Sequence, residues 1–457
     1  MKLTELFLKQ KNYFNAQNTK NVDERLAHLN DIRSWIIDNE ERIAQALYED
    51  LGKTDTEAYM TEIGMVLDCL SYVDKNLKKW TKKQKVKTSL SLFPAKSYTI
   101  AEPYGVVLVM SPWNYPFLLS MEPLINAIAA GNTVILKPSE YAISTSALLK
   151  EMLSSLFEED YVAVVNGDAR IARELLQNPF DYIFFTGSPT VGEVVYRKAA
   201  AHLTPVTLEL GGKSPCIVTP DSDLRLAAKR IAFGKFLNAG QTCVAPDYVF
   251  VHESIKEEFI SYLDDYIHEF FGDHPIASDH LCRIINRKHF NRIINLINDD
   301  NTLIIGGQAD EKNLKISPTV VDNVKESDPI MQQEIFGPLL PIMTYNNIYD
   351  VAAYINRHEK PLALYLFTEN ENEQDFIMSN CSFGGGCIND TIMQLASHHL
   401  PFGGVGRSGL GAYHGKYSFK TFSHIKSILH KSNKADLEYR YYPYDERKTS
   451  LIKKNLK

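Results

Sequence analysis

The feature that most constrains the fold is the alternation of strand-like and helix-like segments that begins at Gly105. "GVVLVM", "NTVILK" and "FDYIFFTG" are apolar runs rich in β-branched and aromatic residues, which is typical of strands buried on both faces. Helical segments such as "MEPLINAIAAG" and "ISTSALLKEMLSSLF" separate them. This alternation predicts an α/β fold with a doubly wound parallel sheet, in which ligands bind at the carboxyl ends of the strands.

The segments on either side of this region differ in character. Residues 1 to about 80 repeat apolar residues at three- and four-residue spacing, which predicts helices. "TSLSLFPAKSYTIAEPYG" predicts an exposed β-like arm that reaches another lobe or subunit. After about residue 210, "SPCIVTP" and "YVFVH" predict the strands of a second α/β unit. Gly384–Gly386 and Pro401–Gly415 are glycine-dense and predict loops.

Composition narrows the function classes. The chain has 457 residues, 44% hydrophobic and 23% charged, and a net charge of −7. These values exclude a mainly disordered chain and disfavour nucleic-acid binding, which needs a basic surface. The six cysteines form no CxxC pair and no zinc-like spacing with histidines. We find no signal peptide and no apolar run of about 18 residues, so we expect no transmembrane helix and a cytoplasmic protein with reduced thiols.

Polar residues follow three of the predicted strands. Asn114 in "SPWNYP" is either a donor to a developing oxyanion or an ordinary turn residue. Lys137 and Glu140 in "LKPSE" are either ribose contacts or part of a surface turn. Gly187 and Gly192 in "FFTGSPTVG" open a helix, where they either admit a phosphate or form an ordinary turn.

Two further residues have reactive side chains. Glu209 is a lone acid in the apolar "LELGGKSP", so it is either paired with a cation or a general base with a raised pKa. Cys243 follows "GQT" between a helix-like and a strand-like segment. It is either a buried packing thiol or a nucleophile.

Taken together, these motifs resemble those of the aldehyde dehydrogenase superfamily. The motifs, in chain order, are "PWNYP", "LKPSE", "FTGS", "LELGGKSP", "GQTC", "QEIFGPLLP" and "PFGGVGRSG". They run from about Gly105 to Ser423. "AGQTCVAPDYV", "LELGGKSP" and the short N-terminus are most similar to the class 3 branch, which acts on fatty and aromatic aldehydes.

The resemblance implies a role for each matched residue. Cys243 would be the catalytic thiol, Glu209 the general base and Asn114 the amide of the oxyanion hole. Lys137 and Glu140 would bind the adenosine ribose of the cofactor. The remaining implied cofactor contacts are Gly187, Ser188 and Trp113 at the pyrophosphate, and Glu334 and Phe336 at the nicotinamide ribose and ring. No metal is implied, and we assign "PFGGVGRSGLG" no chemistry beyond shaping a domain junction.

The resemblance also implies a domain organisation. A Rossmann-like NAD-binding domain would comprise residues 1–82 and 105–208, and an α/β catalytic domain residues 209–395. Residues 83–104 and 396–457 would supply a small bridging β-sheet and the contacts of a homodimer.

The implied reaction is NAD-dependent oxidation of an aldehyde to the carboxylic acid through a cysteine thioester, with NADP as a possible second cofactor. Tyr115, Phe233 and Met65 would line an apolar substrate tunnel, which favours hydrophobic aldehydes: long-chain aliphatic, aromatic or polyene. The alternatives are a CoA-acylating dehydrogenase, a semialdehyde dehydrogenase, and a catalytically silent structural or binding relative. The Cys243, Glu209 and Asn114 set argues against the silent relative, and Glu209 argues against CoA acylation.

Overall fold

The computed structural model describes residues 2–298 and 300–456. Two large, mainly parallel sheets surrounded by helices form a mixed α/β structure, which confirms the predicted fold class. Helices open the chain, as predicted, and a π-helical turn at Tyr59–Ile63 joins the last two of them. They are α1 (Leu3–Asn15), α2 (Val22–Asp38), α3 (Glu40–Leu51), α4 (Asp55–Ala58) and α5 (Gly64–Trp80).

The first sheet has the order β17–β7–β6–β3–β4–β5, and β17 alone of these strands runs antiparallel to its neighbour. Its strands are β3 (Val106–Met110), β4 (Thr133–Lys137), β5 (Val162–Val164), β6 (Tyr182–Thr186), β7 (Val206–Glu209) and β17 (Gly409–Leu410). The connecting helices are α6 (Leu118–Ala130), α7 (Ile143–Leu156), α8 (Ala169–Leu175) and α9 (Pro189–Ala200). The strand order reverses between β3 and β6, and a crevice at such a point is the usual ligand site of this architecture.

The second sheet has the order β10–β13–β14–β9–β8–β15–β16 and is parallel except for the pair β10 and β13. Its strands are β8 (Pro215–Val218), β9 (Tyr248–His252), β10 (Thr302–Ile305), β13 (Thr319–Asp322), β14 (Leu339–Tyr345), β15 (Ala363–Phe367) and β16 (Gly385–Ile388), and β11 (Ala309–Asp310) and β12 (Lys315–Ile316) form a separate hairpin. The helices of this region are α10 (Leu224–Phe236), α11 (Lys256–Phe271), α12 (Arg287–Ile294), α13 (Pro329–Gln332), α14 (Ile348–Arg357) and α15 (Glu371–Asn380).

The prediction that Gly384–Gly386 forms a loop is wrong, because Gly385 and Gly386 begin β16 at the edge of the second sheet. A Cβ atom on Gly386 would lie 2.0 Å from the carbonyl oxygen of Leu364 on the neighbouring strand. Glycine is therefore required here by the close approach of two backbones, a use of glycine that a sequence pattern does not distinguish from a turn.

The third sheet contains the predicted β-like arm. It has the order β1–β2–β18, with strands β1 (Gln84–Val86), β2 (Ala95–Pro103) and β18 (Ser423–Lys431). β2 and β18 pair antiparallel along their whole length, from Ala95 opposite Lys431 to Pro103 opposite Ser423. Two helices flank β18 in the sequence: α16 (Gly415–Thr421) and α17 (Glu446–Asn455).

The core runs across the predicted domain boundary. One apolar cluster contains Leu47 of α3, Val109 of β3, Phe236 of α10 and Tyr365 of β15. The segment after residue 396 also serves two sheets, because β17 pairs with β7 and β18 pairs with β2. The division into domains stays a prediction.

A buried ion pair joins the N-terminal helices to the start of α6. Lys53 and Glu62 have fully buried side chains, with 2.5 Å between Nζ and Oε1. The other oxygen of Glu62 accepts hydrogen bonds from the backbone N–H groups of Phe117 (2.8 Å) and Leu118 (3.1 Å). Lys53 also donates to the carbonyl oxygen of Asn114 at 3.4 Å. The pair therefore fixes the loop that connects β3 to α6.

Replacing the cation of this pair should destabilise the protein strongly. Lys53→Met leaves the Glu62 carboxylate buried without its cation, which costs about 3–5 kcal/mol of unfolding free energy. We expect a lower midpoint of thermal unfolding, partly restored in Lys53→Met/Glu62→Gln, where the acceptor remains and the charge is gone. Arg42→Met, which breaks an exposed pair with Glu151, is the control and should change the midpoint little. Equal midpoints for Lys53→Met and Arg42→Met would contradict this interpretation.

Candidate active site

Three strands of the first sheet bring motif residues to one edge. Trp113 and Asn114 follow β3, Gly187 follows β6, and Glu209 is the last residue of β7. β6 and β7 are in register at Thr186 and Glu209, and the Gly187 N–H donates to the Glu209 carbonyl at 3.0 Å. The point at which the strand order reverses is therefore lined by three of the motifs found in the sequence.

A cavity of about 470 Å³ lies at this edge, between the two large sheets. Most of the predicted site residues line it: Trp113, Asn114, Gly187, Ser188, Glu209, Cys243, Glu334 and Phe336. The other predicted residues lie outside this lining: Lys137, Glu140, Tyr115, Phe233 and Met65.

A strained turn places Cys243 in the cavity. Asn238 and Ala239, just before it in the chain, have φ angles of 53° and 51°, and Gly240 has a φ of 72°. A Cβ atom on Gly240 would lie 2.3 Å from the Gly337 carbonyl oxygen, so only glycine fits there. Left-handed backbone at non-glycine residues costs about 1–3 kcal/mol each and is concentrated at functional sites.

The side chain of Gln241 holds this turn in place. Its Nε2 donates to the carbonyl oxygens of Asn238 and Arg283, each at 3.0 Å. Its Oε1 accepts a hydrogen bond from the Ile285 N–H at 3.0 Å. Both amide hydrogens and the oxygen are used, so the glutamine of "GQTC" fixes the backbone that leads to Cys243.

Asn114 is buried and its side-chain amide points toward the Cys243 turn. Its Nδ2 donates to the carbonyl oxygen of Gln241 at 3.0 Å, and its own carbonyl accepts from Asn238 Nδ2 at 2.8 Å. An amide NH₂ has two hydrogens. Among the described residues the second has no acceptor, so it can donate to an oxyanion that forms beside Cys243.

The thiol of Cys243 is protonated at neutral pH. Burial, and then the carboxylates of Glu334 and Glu209, raise the pKa of Cys243 to about 12. Backbone N–H groups of Cys243 and Val244 act in the opposite direction, because they hydrogen-bond the sulfur. A proton acceptor is therefore needed before this thiol can act as a nucleophile.

Glu209 is a buried carboxyl that forms no ion pair with any of the described residues. Its exposed fraction is 2%, and neither of its oxygens has a hydrogen-bond partner within the described residues. Burial, and then the charge of Glu122, raise the pKa of Glu209 well above its usual range. Of the two alternatives that the sequence left open, the structure supports a raised pKa over an ion pair.

Glu334 is a second buried carboxyl in the lining of this cavity. Burial, and then Asp247, raise the pKa of Glu334 to about 8, and its Oε1 has no partner among the described residues. A Cβ atom on Gly211 would lie 2.1 Å from Glu334 Oε2, so this glycine makes room for the carboxyl. Phe336, with φ at 48°, packs edge-on against Trp113 with 5.2 Å between the ring centroids.

Gly187 and Ser188 lie where β6 turns into α9. A Cβ atom on Gly187 would lie 2.6 Å from the ring of Phe185, and Ser188 caps the helix by accepting the Val191 N–H at 3.5 Å. The N-terminus of α9 therefore faces the cavity with free N–H groups, an arrangement that suits a phosphate.

Lys137 and Glu140 lie at the end of β4 and pair with each other, with 3.1 Å between Nζ and Oε2. The Lys137 side chain is 5% exposed, whereas the Glu140 side chain is 34% exposed. Both lie outside the cavity that contains Cys243, at the carboxyl end of the next strand of the same sheet. A ligand that extends from this cavity along the sheet edge would reach them.

The three predicted tunnel residues are dispersed. Tyr115 is buried, its hydroxyl lies 2.5 Å from Thr242 Oγ1, and the Lys53 ammonium lies 4.0 Å from its ring centroid. Phe233 on α10 is 37% exposed, and Met65 on α5 is half-buried. Their role in substrate binding stays a prediction.

Among the lining residues that the sequence did not predict, two have titratable side chains: His289 and Arg292 of α12. His289 packs against Trp113 at 5.0 Å between ring centroids, and burial lowers the pKa of His289 to about 4. Arg292 donates to the carbonyl oxygens of Glu334 (3.2 Å) and Ile335 (2.6 Å). The segment "NRKHFNRII" has only a helical pattern, so no sequence signal marked them.

The described residues contain no cluster of three or more His, Cys, Asp or Glu side chains that could hold a metal ion. No helix in residues 2–298 or 300–456 is long and apolar enough to cross a membrane. Each of the six cysteines is free.

Comparison with known proteins identifies the family of the chain. The profile of the aldehyde dehydrogenase family matches residues 6–428. The chain is 48% identical to 4,4'-diaponeurosporen-aldehyde dehydrogenase of Staphylococcus aureus, over 97% of this chain and 96% of that protein. It is 43% identical to aldehyde dehydrogenase family 3 member B1 of Rattus norvegicus, over 96% of this chain and 94% of that protein.

Solved structures give the same result. A substrate-bound AldH of Staphylococcus aureus superposes with a TM-score of 0.97 at 47% identity, covering 99% of both chains. Betaine aldehyde dehydrogenase of Staphylococcus aureus in complex with NAD⁺ superposes with a TM-score of 0.85 at 25% identity, over 95% of this chain and 88% of that one. The chain therefore belongs to the aldehyde dehydrogenase family, on the side of its family 3 members, and is an oxidoreductase that acts on aldehydes.

Proposed function

We propose that this enzyme oxidises a hydrophobic aldehyde to the carboxylic acid with NAD, through a covalent thiohemiacetal and thioester on Cys243. One observation carries the proposal. A thiol, an amide with a free hydrogen and an unpaired buried carboxyl, from Cys243, Asn114 and Glu209, line the same cavity. These are the groups that acyl transfer to water requires.

The first step is attack of the Cys243 sulfur on the aldehyde carbonyl. Because the thiol is protonated at neutral pH, its proton must move to a carboxyl such as Glu209 or Glu334 as the C–S bond forms. The carbonyl oxygen becomes an oxyanion, which the free hydrogen of the Asn114 amide and the Cys243 N–H stabilise. Donors fixed before the reaction, as Asn114 is by Gln241, stabilise such a charge without reorganisation.

The second step is hydrolysis of the thioester. Glu209 takes one proton from water and the water oxygen attacks the acyl carbon. The C–S bond then breaks as the sulfur takes the second water proton, so that the products are the carboxylate and the Cys243 thiol. A carboxyl with a raised pKa is well matched to this role near neutral pH. The presence of Glu209 favours water over CoA as the acyl acceptor, and the complete set of three groups argues against a silent relative.

The residues around the cavity fit a nicotinamide dinucleotide. Gly187 and the N-terminus of α9 would hold the pyrophosphate beside Trp113, and Lys137 and Glu140 would hold the adenosine ribose. Glu334, whose Oε1 lacks a partner among the described residues, and Phe336 would hold the nicotinamide ribose and ring. When bound, this cofactor supplies the hydride acceptor.

We propose a modest preference for NAD over NADP. The Glu140 carboxylate can accept hydrogen bonds from a ribose diol, whereas its charge repels a 2′-phosphate. Its side chain is one-third exposed, so solvent weakens this repulsion and NADP is not strictly excluded.

Hydrophobic aldehydes are the proposed substrates. The relative from Staphylococcus aureus is named for a diaponeurosporen aldehyde, and Pro112, Leu119 and Leu210 add apolar surface to the cavity. We keep Tyr115, Phe233 and Met65 as the proposed tunnel. A charged semialdehyde is disfavoured, because the guanidinium of the lining residue Arg292 is engaged by backbone carbonyls.

We also propose a cytoplasmic homodimer that forms through the third sheet. Within the described chain, β18 has a neighbour on one side only. Ile425 and Leu429 of this strand are 45% and 48% exposed. The unpaired edge of β18, with its exposed apolar side chains, can pair with a strand from a second copy of the chain. The free state of all six cysteines is consistent with a reducing compartment.

Cys243→Ser should abolish aldehyde-dependent formation of NADH without CoA, because a hydroxyl is a far weaker nucleophile than a thiolate. Unfolding temperature and NAD binding, measured by calorimetry, should be unchanged. Cys387→Ser is the matched control, since its thiol is half-buried and donates to Gln394 Oε1 at 2.9 Å, a bond that serine can keep. Turnover near the wild-type rate in Cys243→Ser would refute the mechanism.

Glu209→Gln should slow thioester hydrolysis more than hydride transfer. Rapid mixing should then give a burst of about one NADH per active site, followed by a slow steady state. In the wild type, the hydrolysis rate should rise with pH as Glu209 loses its proton, because burial raises its pKa; in Glu209→Gln this rise should disappear. Loss of the burst itself would show that Glu209 acts earlier, on the thiol.

Longer aliphatic aldehydes should be better substrates. Each methylene buried against apolar side chains contributes up to about 0.8 kcal/mol, which is about fourfold in kcat/KM. We therefore expect kcat/KM to rise from propanal to medium and long chains, and a charged semialdehyde of similar length serves as the comparison. A flat or falling series, with the semialdehyde as the best substrate, would replace the hydrophobic-aldehyde proposal.

A further inference from the structure

Residues 330–336, which we call the Glu334 segment, form a wall that two cavities share. Gly211, Gln333 and Glu334 line the cavity that contains Cys243, and the same three residues line a second cavity of about 490 Å³. Side chains that border empty space lose the packing contacts that would otherwise fix them. The position of the Glu334 carboxyl therefore depends on polar contacts from neighbouring elements.

Lys213 supports the Glu334 segment from the side of the second cavity, which it lines. Its Nζ donates to the backbone carbonyl oxygens of Ile330 at 2.7 Å and Gln333 at 3.0 Å. It also forms an ion pair with Asp247, with 2.5 Å between Nζ and Oδ2. An ammonium group has three hydrogens, and these three acceptors use all of them. Lys213 therefore binds the segment itself and has no hydrogen left for a ligand.

Two further side chains bind the same stretch of backbone. The second oxygen of Asp247, Oδ1, accepts a hydrogen bond from the Ile335 N–H at 2.9 Å. Arg292 donates to the carbonyl oxygens of Glu334 at 3.2 Å and of Ile335 at 2.6 Å. Together with the bond from Lys213 to the Gln333 carbonyl, these contacts fix the backbone on both sides of the Glu334 side chain.

Lys213 also belongs to the loop that follows the proposed general base. Glu209 is the last residue of β7, and Lys213 lies in the loop between β7 and β8. Between them is Gly211, where a Cβ atom would lie 2.1 Å from Glu334 Oε2. One short loop therefore begins at Glu209, makes room for the Glu334 carboxyl and supplies the lysine that supports its backbone.

Phe336 shows why the Glu334 segment needs this support. Its φ angle of 48° is a left-handed conformation that a non-glycine residue adopts only at a cost. Its ring nevertheless packs edge-on against Trp113, at 5.2 Å between centroids. The hydrogen bonds that Asp247 and Arg292 make with Ile335 hold the backbone immediately before it. The same contacts therefore support both residues that we propose for the nicotinamide ribose and ring.

We propose that the ion pair of Lys213 and Asp247 positions Glu334 for hydride transfer. This inference rests on the proposed function, in which Glu334 holds the nicotinamide ribose. Lys213 lies outside the lining of the cavity that contains Cys243, so it is a positioning residue and not a catalytic one. Without it the Glu334 segment is free to move, and a small displacement of reacting groups slows a reaction greatly. Hydride transfer should therefore depend on Lys213, whereas binding of the adenosine half of the cofactor should not.

Lys213→Met tests this role, because methionine fills a similar volume but donates no hydrogen bond. Rapid mixing should show that the first turnover of NADH formation slows about tenfold. An aldehyde deuterated at C1 should then give a larger isotope effect on steady-state turnover than in the wild type, because hydride transfer has become slower. Calorimetry should show weaker binding of NAD and unchanged binding of ADP, which has no nicotinamide ribose. Added methylammonium, which can enter the second cavity, should restore part of the first-turnover rate.

Lys256→Met is the matched control for a loss of stability alone. Lys256 forms an ion pair with Asp322 at 2.6 Å, and its side chain is 19% exposed, against 18% for Lys213. It lies outside the lining of both cavities. Its replacement should lower the midpoint of thermal unfolding, but the first-turnover rate and the binding of NAD should be those of the wild type.

Two further variants make the test decisive. Glu334→Ala should itself slow hydride transfer, and adding Lys213→Met should slow it little more, because both changes act through one carboxyl. If Lys213→Met folds poorly, Lys213→Met/Asp247→Asn leaves no unpaired carboxylate and should show the same slow first turnover. Additive effects of the Glu334 and Lys213 substitutions, equal losses of NAD and ADP binding, or a first turnover as fast as in Lys256→Met overturn the proposal. Absence of aldehyde-dependent NADH in the wild type would instead refute the proposed function.

Discussion

The buried ion pair of Lys53 and Glu62 connects the N-terminal helices to the loop between β3 and α6, which contains Asn114. Moving two charges out of water is expensive, and only further hydrogen bonds offset that cost. Here those bonds go to the start of α6 and to the carbonyl of Asn114. Glu57, close by in the chain, accepts the backbone N–H of Asn238 at 3.0 Å. The N-terminal helices therefore fix both the amide and the thiol loops of the site.

A second constraint is the number of acids in a small volume. Glu209, Glu334 and Glu122 all have raised pKa values, chiefly because burial disfavours the charged form. Ionised carboxylates near Cys243 would hold back its ionisation, since Glu334 and Glu209 both raise the pKa of the thiol. Neutral carboxyls remove that repulsion. A carboxylate that takes the thiol proton becomes neutral, so the same transfer also removes its repulsion of the Cys243 thiolate. Glu209 can activate water once it has lost its proton.

Sequence patterns predicted the parts of the structure whose causes are local. Apolar runs such as "GVVLVM" predicted the buried strands, and motif order predicted the family. The patterns could not predict Lys53 and Glu62, because what makes this pair matter is a contact with Phe117, 55 residues further along the chain. His289 was missed for the same reason, since its contact with Trp113 comes only with the packed fold. At Gly386, the run of glycines that predicted a loop is instead required by the close approach of two strands.

The glycine-dense segment Pro401–Gly415 shows how a region without reactive motifs can still govern chemistry. A Cβ atom on Gly409 would lie 2.5 Å from the Leu208 carbonyl oxygen, so only glycine allows β17 to pair with the strand that ends in Glu209. The Ser408 carbonyl also accepts the Leu210 N–H at 3.1 Å. A few residues later the same segment presents His414 to Glu122. One loop thus holds the backbone of the proposed base in place and packs a buried imidazole against a buried carboxyl.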